Sequence, residues 1–453
     1  MAVEPSGLHS FHYRDGRLHC EEADLKQVAG RFGTPLYVYS ASTILDHYRR
    51  LDAALHELDH LICYAAKANS NGAILRLLAD EGAGFDIVSG GELYRVLRAG
   101  GRAGSCTFAG VGKSREEIEF ALEEGVFCFN VESEAELDHI NRIAAGKDLR
   151  APIALRVNPD VEAGTHKYVS TGRSENKFGI GLDRIAQVYK AAADMANITI
   201  RGVQMHIGSQ ITEARPFADA IAKVAPMVRD LKQCYAIEFL SIGGGMGIVY
   251  QSSLASGEGD WWRDAAAGPH PLTIDEYAAA ILPPLRDLGL RILLEPGRFL
   301  VGNAGVLLTR VRYIKQAEQK KFVIVDAGMN DLIRPALYQS YHEIVPVQEP
   351  LGGKSEAVDV VGPVCESGDF FAQDRALPEM QEGELAAIMS AGAYGFVMAS
   401  NYNSRPLPAE VLVRGDRFAL IRERQQYEDL VKGEHDFRSL AGRPFSCENR
   451  RPA

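Results

Sequence analysis

Lysines, histidines and thiols become chemically useful when they end apolar runs, and this sequence has several such places. Lys67 closes the run Tyr64-Ala65-Ala66-Lys67-Ala68-Asn69. Desolvation at a strand end lowers a lysine's pKa and makes it a Schiff-base candidate. The plainer reading is a lysine whose stem snorkels along apolar surface. Asp86 ends the next run and could orient Lys67, while Ser89, before Gly90-Gly91-Glu92, reads as a helix cap. His206 precedes Ile207-Gly208-Ser209. It is either a satisfied core histidine or a ring facing a ligand, with the Ser209 hydroxyl open to an anion.

The glycines Gly243, Gly244, Gly245 and Gly247 can bare backbone N–H groups to a phosphate, or can simply turn the chain. Glu295-Pro296-Gly297-Arg298 sets a carboxylate and a guanidinium three apart. That spacing suits a plain salt bridge, or a cofactor ring nitrogen together with an anion. A Schiff-base lysine, a ring-facing histidine, a phosphate loop and a carboxylate for a ring nitrogen jointly describe pyridoxal phosphate (PLP). A second set follows. Arg334 and Tyr338 share one face if their turn is helical. Cys365 and Glu366 put a thiol beside a carboxylate, although a buried structural cysteine is the ordinary reading. Tyr394 sits on a Gly-flanked turn.

These residues need a scaffold, and the hydrophobic pattern supplies one. Apolar runs at 61–66, 84–89, 106–110, 126–131, 152–158, 198–207, 236–242 and 291–294 read as buried strands. Helical patterns fill the gaps at 70–81, 90–99, 114–125, 134–146, 182–195, 214–233 and 273–288, with Ser133 and Glu136 as a capping-box signature. Eight alternations predict an α/β fold, a (β/α)8 barrel with its chemistry at the C-terminal strand ends. A doubly wound sheet is the alternative, but it favours a Gly-rich turn after the first strand, where YAAKAN stands. Beyond about residue 305, short strands alternate with turns and no long helix intervenes, which predicts an all-β domain. Phe11–Glu22 reads as a hairpin turning at Asp15-Gly16, followed by a helix near 23–32. The expected division is an N-terminal segment (1–38) joining the β domain, the barrel (39–304), the β domain (305–431) and a polar tail (432–453).

Composition bounds the partners. Of 453 residues, 60 are acidic and 49 basic, for a net charge of −11. That balance argues against nucleic acid or an anionic membrane as partner. The first residues lack a signal peptide's basic and apolar regions, and no apolar stretch reaches transmembrane length. Seven cysteines without Cys-x-x-Cys spacing are neither a disulfide framework nor a metal site, which points to a reducing cytoplasm.

The motifs YAAKAN, GFDIVSGGEL, HKYVSTG…ENKFGI, HIGSQI, GGGMGIVY, EPGR, MNDLIRPALY, GPVCESGD and GAYG occur in this order. In them the chain resembles the diaminopimelate decarboxylase family, in the fold-type III PLP group with ornithine and arginine decarboxylases and alanine racemase. The resemblance runs from about 33 to 430. It implies the last step of lysine biosynthesis, PLP-dependent decarboxylation of meso-2,6-diaminopimelate to L-lysine and CO2. It also implies site roles. Lys67 would carry PLP, His206 stack on its ring and Glu295 pair with the ring nitrogen. Ser209, Gly243–Gly245, Gly297 and Tyr394 would surround the phosphate. Arg298, Arg334 and Tyr338 would hold the substrate's distal carboxylate, with Tyr394 alongside, and Glu366 its distal amine. Cys365 would reprotonate Cα. Cys365 and Glu366 would come from a partner subunit, so a homodimer with shared sites is implied. A decarboxylase of another diamino acid is the nearest alternative, but ornithine decarboxylases carry aspartate after the cysteine and lack the Asn330–Pro335 run. A catalytically dead regulatory homologue fits less well with Lys67, Cys365 and Tyr394 all present, and a racemase less well because Cys365-Glu366 follows the decarboxylase pattern. Loop 251–271, with both tryptophans, and the tail are longer than the family's usual segments; the loop is expected at the surface or dimer rim.

Overall fold

Strand and helix alternate because the apolar period alternates between buried runs and 3.6-residue stripes. The computed structural model describes residues 7–161, 177–259, 271–350, 352 and 354–435. Most of the HKYVSTG…ENKFGI motif, both tryptophans, Cys447 and the tail from 436 lie outside the described residues.

Eight parallel strands form the barrel: His60–Ala65, Gly84–Ile87, Cys106–Phe108, Cys128–Val131, Ala151–Asn158, Ile198–Met205, Phe239–Ser241 and Arg291–Leu294. Each pairs with the next, and the eighth closes on the first with Leu294 opposite Ile62. The predicted runs locate all eight and overshoot some ends by a few residues. A two-residue strand, Ile180–Gly181, adds to the edge beside Val157 and Asn158. Cys63, Cys128, Ala154, Phe239 and Leu293, from five strands, pack together in the interior. Gly202 makes room for them, since a Cβ there would lie 2.6 Å from the Phe239 ring. Complete capping boxes start the helices Arg115–Glu124 and Ile274–Arg286. At Glu134–Gly146 the expected box is half made. Ser133 Oγ accepts the Glu136 N–H, but the Glu136 carboxylate turns to the Glu132 N–H (2.7 Å) and Lys113 Nζ (2.6 Å).

The β domain is a sheet in the order Phe370–Pro378, Ser355–Val361, Lys321–Val325, Gly305–Gln316, Leu36–Ser40, Ala409–Arg414, Arg417–Arg422. Leu385–Ile388 also pairs with Gly305–Gln316 and with Ile344–Pro346. The N-terminal hairpin turns at Asp15 and Gly16, both with positive φ, as its sequence predicts. It forms its own small sheet with Ala23–Asp24 and touches the β domain through Leu18 N–H to Val347 O (2.8 Å). The N-terminal contribution to the large sheet is instead Leu36–Ser40, antiparallel to Gly305–Leu308 and parallel to Ala409–Val413. No helix among the described residues is long and apolar enough to cross a membrane.

One turn of the β domain docks on the barrel mouth. Tyr394 N–H donates to Ala68 O (2.8 Å), and Asn69 Nδ2 donates to Gly392 O (3.2 Å). A Cβ at Gly392 would lie 1.9 Å from Val301 O. We therefore expect Gly392→Ala to lower stability by roughly 1–3 kcal/mol and to weaken PLP binding by shifting Tyr394. Denaturant melts and a PLP titration check this, and wild-type values for both would refute it.

Candidate active site

Strand register delivers the first charged pair. Ala65 lies opposite Asp86, so Lys67, in the 3-10 turn Ala66–Ala68, reaches its neighbour strand. Lys67 Nζ donates to Asp86 Oδ2 at 2.8 Å. The Asp86 side chain is 1% exposed and that of Lys67 41%, so the amine faces the open mouth from a buried anchor. Burial pulls the Lys67 pKa down, but Asp86, Tyr394 and Glu295 outweigh it and the net shift is upward. The expected lowering is thus corrected, because a carboxylate at hydrogen-bond distance stabilises the ammonium more than desolvation penalises it.

Glu295, just past the eighth strand, is held by three donors. Ser241 Oγ (2.7 Å) and Asn130 Nδ2 (3.4 Å) reach Oε1, and Gln204 Nε2 reaches Oε2 (2.9 Å). Burial and the nearby Asp86 carboxylate push the Glu295 pKa up to about 7. His206 emerges after the sixth strand, half-buried at the cleft wall, and its Nδ1 accepts the Gly244 N–H (3.3 Å). Burial, with Arg156 and Lys67 nearby, holds its pKa well below the usual histidine range, so the ring is neutral.

The glycine loop is built for close approach. A Cβ at Gly244 would lie 2.3 Å from Glu295 O, and one at Gly245 would lie 2.6 Å from Gly208 O. The Gly243 and Gly244 amides are engaged by Ser241 Oγ (3.3 Å) and His206 Nδ1, and Gly245 with Met246 forms the cleft wall. Arg298 Nη2 donates to Ser209 Oγ (3.0 Å) and Nη1 to the Tyr250 hydroxyl (2.5 Å), with its guanidinium 5.0 Å from the Tyr394 ring centroid. Gly297, before it, lets the chain pass Ala65 and Ala68, whose Cβ atoms would be 3.1 and 3.0 Å from an added Cβ.

Lys67, Asp86, His206, Ser209, Gly245, Glu295, Gly297, Arg298 and Tyr394 therefore line one open cleft. Three buried polar atoms of residues lining this cleft, Asp86 Oδ1, Gln204 Oε1 and Arg298 Nε, have no protein partner among the described residues. An accessible amine, a caged carboxylate, a neutral ring and an unsatisfied guanidinium nitrogen fit a phosphorylated pyridine aldehyde. Arg334 and Tyr338 do share a face, on the helix Arg334–Tyr338, with the guanidinium 5.9 Å from the Tyr338 ring centroid. Arg334 joins Arg298 through Tyr250, whose hydroxyl its Nη2 meets at 3.0 Å.

Cys365 and Glu366 are not brought to this cleft. They lie on the exposed turn between Ser355–Val361 and Phe370–Pro378, where Cys365 N–H donates to Asn403 Oδ1 (2.8 Å) and Tyr402 faces Glu366 Oε2 (3.5 Å). Tyr250, Gln204, Ser241, Asn130 and the Arg156–Glu132 pair (3.1 and 3.0 Å) carry no prediction in the sequence reading. A signal existed for three of them. Asn130, Gln204 and Ser241 are polar residues interrupting apolar strands, where a polar group needs a partner.

Comparison with known proteins agrees with this chemistry. Residues 41–302 match the family model described as pyridoxal-dependent decarboxylase, pyridoxal binding domain. The chain is similar to diaminopimelate decarboxylase of Vibrio cholerae, 48% identical over 423 residues that cover 93% of this chain and 97% of that protein. Among solved structures it resembles Helicobacter pylori diaminopimelate decarboxylase complexed with L-lysine, at 40% identity and TM-score 0.83, covering 90% of this chain and 98% of that one. It also resembles the diaminopimelate decarboxylase of M. jannaschii, at 38% identity and TM-score 0.86, covering 94% and 98%.

The caged carboxylate sets a pH test. A carboxyl raised from 4.5 to about 7 in the folded state holds its proton more tightly there than in the unfolded chain. Its stabilising contribution is full below pH 4.5 and is lost as pH rises through about 7. Relative to Glu295→Gln, which has no proton to lose, the PLP-free wild type should weaken across that window. Paired melts at several pH values measure the gap, and one that stays constant with pH would refute the assignment.

Proposed function

The chain belongs to the diaminopimelate decarboxylase family of pyridoxal-dependent decarboxylases, and from that premise we propose how its residues do the work. The enzyme decarboxylates meso-2,6-diaminopimelate to L-lysine and CO2 with PLP. The observation that carries the residue assignment is the Lys67–Asp86 pair facing Glu295 and Arg298 across one cleft.

When bound, PLP supplies a protonated conjugated ring that takes up the electron pair left behind as CO2 departs. Lys67 presents the amine that holds PLP, and Asp86 aims it. Glu295, fixed by Ser241, Gln204 and Asn130, holds the proton at the ring nitrogen. The neutral imidazole of His206 offers a flat face without adding positive charge beside the ring. Ser209, Arg298, the Gly243–Gly245 loop, Gly297 and Tyr394 surround the phosphate.

Arg298 and Arg334 bind the distal carboxylate, flanked by Tyr338 and Tyr394. Arg334 is 5% exposed, so a substrate lacking that carboxylate leaves a buried cation unmatched, a penalty of about 2–5 kcal/mol. This selects against lysine and ornithine as substrates. The remaining needs are a counter-charge for the distal amine and a proton for Cα. We assign them to Glu366 and Cys365 of the partner subunit in a homodimer with shared sites, because in a single chain both are exposed and apart from the cleft. A thiol donor also requires a reducing compartment, consistent with the cytoplasm.

Incubation with meso-diaminopimelate should release L-lysine and CO2; turnover of ornithine or lysine alone would sink the substrate assignment. Lys67→Ala should abolish turnover and the near-visible absorbance of bound PLP. Cys365→Ala should keep that absorbance and lose roughly 10²–10⁴-fold in kcat; an unchanged kcat removes it as the proton donor. Mixing the two inactive variants should restore about a quarter of wild-type activity, since half of randomly formed dimers carry one intact site. No recovery despite demonstrated subunit exchange excludes shared sites.

A further inference from the structure

Arg334 is held by groups that the substrate reading does not use. Its Nε donates to His342 Nε2 (3.3 Å), and its Nη2 donates to the Tyr250 hydroxyl (3.0 Å) and Ser340 Oγ (3.3 Å). These partners occupy the side-on edge of the guanidinium fork. The Nη1 end is what they leave for a carboxylate.

His342 is fully buried, and its Nδ1 lies 2.8 Å from Met389 O. A carbonyl can only accept, so Nδ1 carries the proton. A guanidinium can only donate, so Nε2 must present a lone pair. The two neighbours thus select one tautomer of the neutral ring. Burial, reinforced by Arg334, Arg298 and Arg375, pushes the His342 pKa down to about 3, and a protonated ring would set N–H against N–H. The Tyr250 ring packs edge-on to His342 (5.1 Å, 80°) and lies 5.2 Å from the Arg334 guanidinium.

We propose that His342 is a positioning residue for substrate recognition: by accepting from Arg334 Nε, it fixes the roll of that guanidinium and aims its free end at the distal carboxylate. The proposal rests on the assignment of Arg334 to that carboxylate. It separates binding of the carboxylate from PLP binding and from the proton steps, so its effect belongs in KM and not in kcat.

The test uses PLP-loaded enzyme with His342→Leu, which can neither accept nor donate, and His342→Gln, whose carboxamide can accept from Arg334 while donating to Met389 O. Bound as product, L-lysine places its one carboxylate and α-amine at the distal position, whereas cadaverine has no carboxylate. We expect His342→Leu to raise KM for meso-diaminopimelate and weaken L-lysine binding about tenfold or more, near 1.4 kcal/mol. Cadaverine affinity, PLP affinity and kcat should stay within about threefold, and His342→Gln should recover most of the loss. If His342→Leu does not fold, His342→Asn replaces it, since its shorter amide cannot span Met389 O and Arg334 Nε together. Wild-type KM and lysine affinity in the leucine variant would overturn the proposal. So would equal losses for lysine and cadaverine, or no recovery with glutamine. A wild-type enzyme that neither turns over meso-diaminopimelate nor binds lysine would instead overturn the substrate assignment itself.

Discussion

Closure of the barrel is the constraint on which the site depends. The seam that pairs Leu294 with Ile62 brings residues from opposite ends of a long stretch of chain to one rim, so Glu295 and Lys67 face the same cleft. Nothing local puts Glu295 near that lysine. Register between adjacent strands then refines the arrangement, setting Asp86 beside Lys67 and leaving Glu295 among Ser241, Gln204 and Asn130. A one-residue slip would turn these side chains from the interior to the outer face.

The rim is stiffened by charges that are themselves buried and matched. Lys113, almost wholly enclosed, donates to Gly110 O, Asn130 O and the Glu136 carboxylate. Arg156 is held by both oxygens of Glu132. Such pairs contribute little net stability over apolar packing, but removing one partner strands a charge in low dielectric. Their value here is geometric. They tie the loop after the third strand to the helix Glu134–Gly146 and the loop after the fourth strand to the fifth strand, so the cleft walls hold position before any ligand arrives.

Much of this was legible in the sequence because it is encoded locally. Eight apolar runs at regular spacing can hardly be anything but buried strands, and the proximity of Lys67 and Asp86 could be raised as a possibility from strand ends alone. What was not legible depended on contacts between distant segments. The strand Phe370–Pro378 is only weakly marked in the sequence, because it lies at the sheet edge, bulges near Asp374 and ends in proline, so its alternation is weak. The sign of the Lys67 shift was misread because desolvation is suggested by an apolar run, whereas the strength of a counter-ion is known only from its distance. His342 and Tyr250 could not be assigned at all. Tyr250 meets Arg334 only where the β domain folds onto the barrel, and His342 meets it only because the chain turns back on the guanidinium eight residues later.

The strand Leu36–Ser40 has a consequence for how the chain is made. It lies in the middle of the β domain's sheet, between Gly305–Gln316 and Ala409–Arg414. During synthesis it leaves the ribosome before the barrel, while its second partner emerges only after the barrel and most of the β domain. The barrel's own residues are all available before then, and can assemble in order as they appear. The apolar strand preceding them must wait with both edges unpaired until the barrel has emerged, and with one edge unpaired until Ala409–Arg414 follows, a state prone to association with other chains. Completion of the sheet is therefore a late, long-range event. Because the turn carrying Tyr394 follows a strand of that sheet, a chain truncated before it would lack one wall of the cleft, and cofactor retention would report that synthesis had passed this turn.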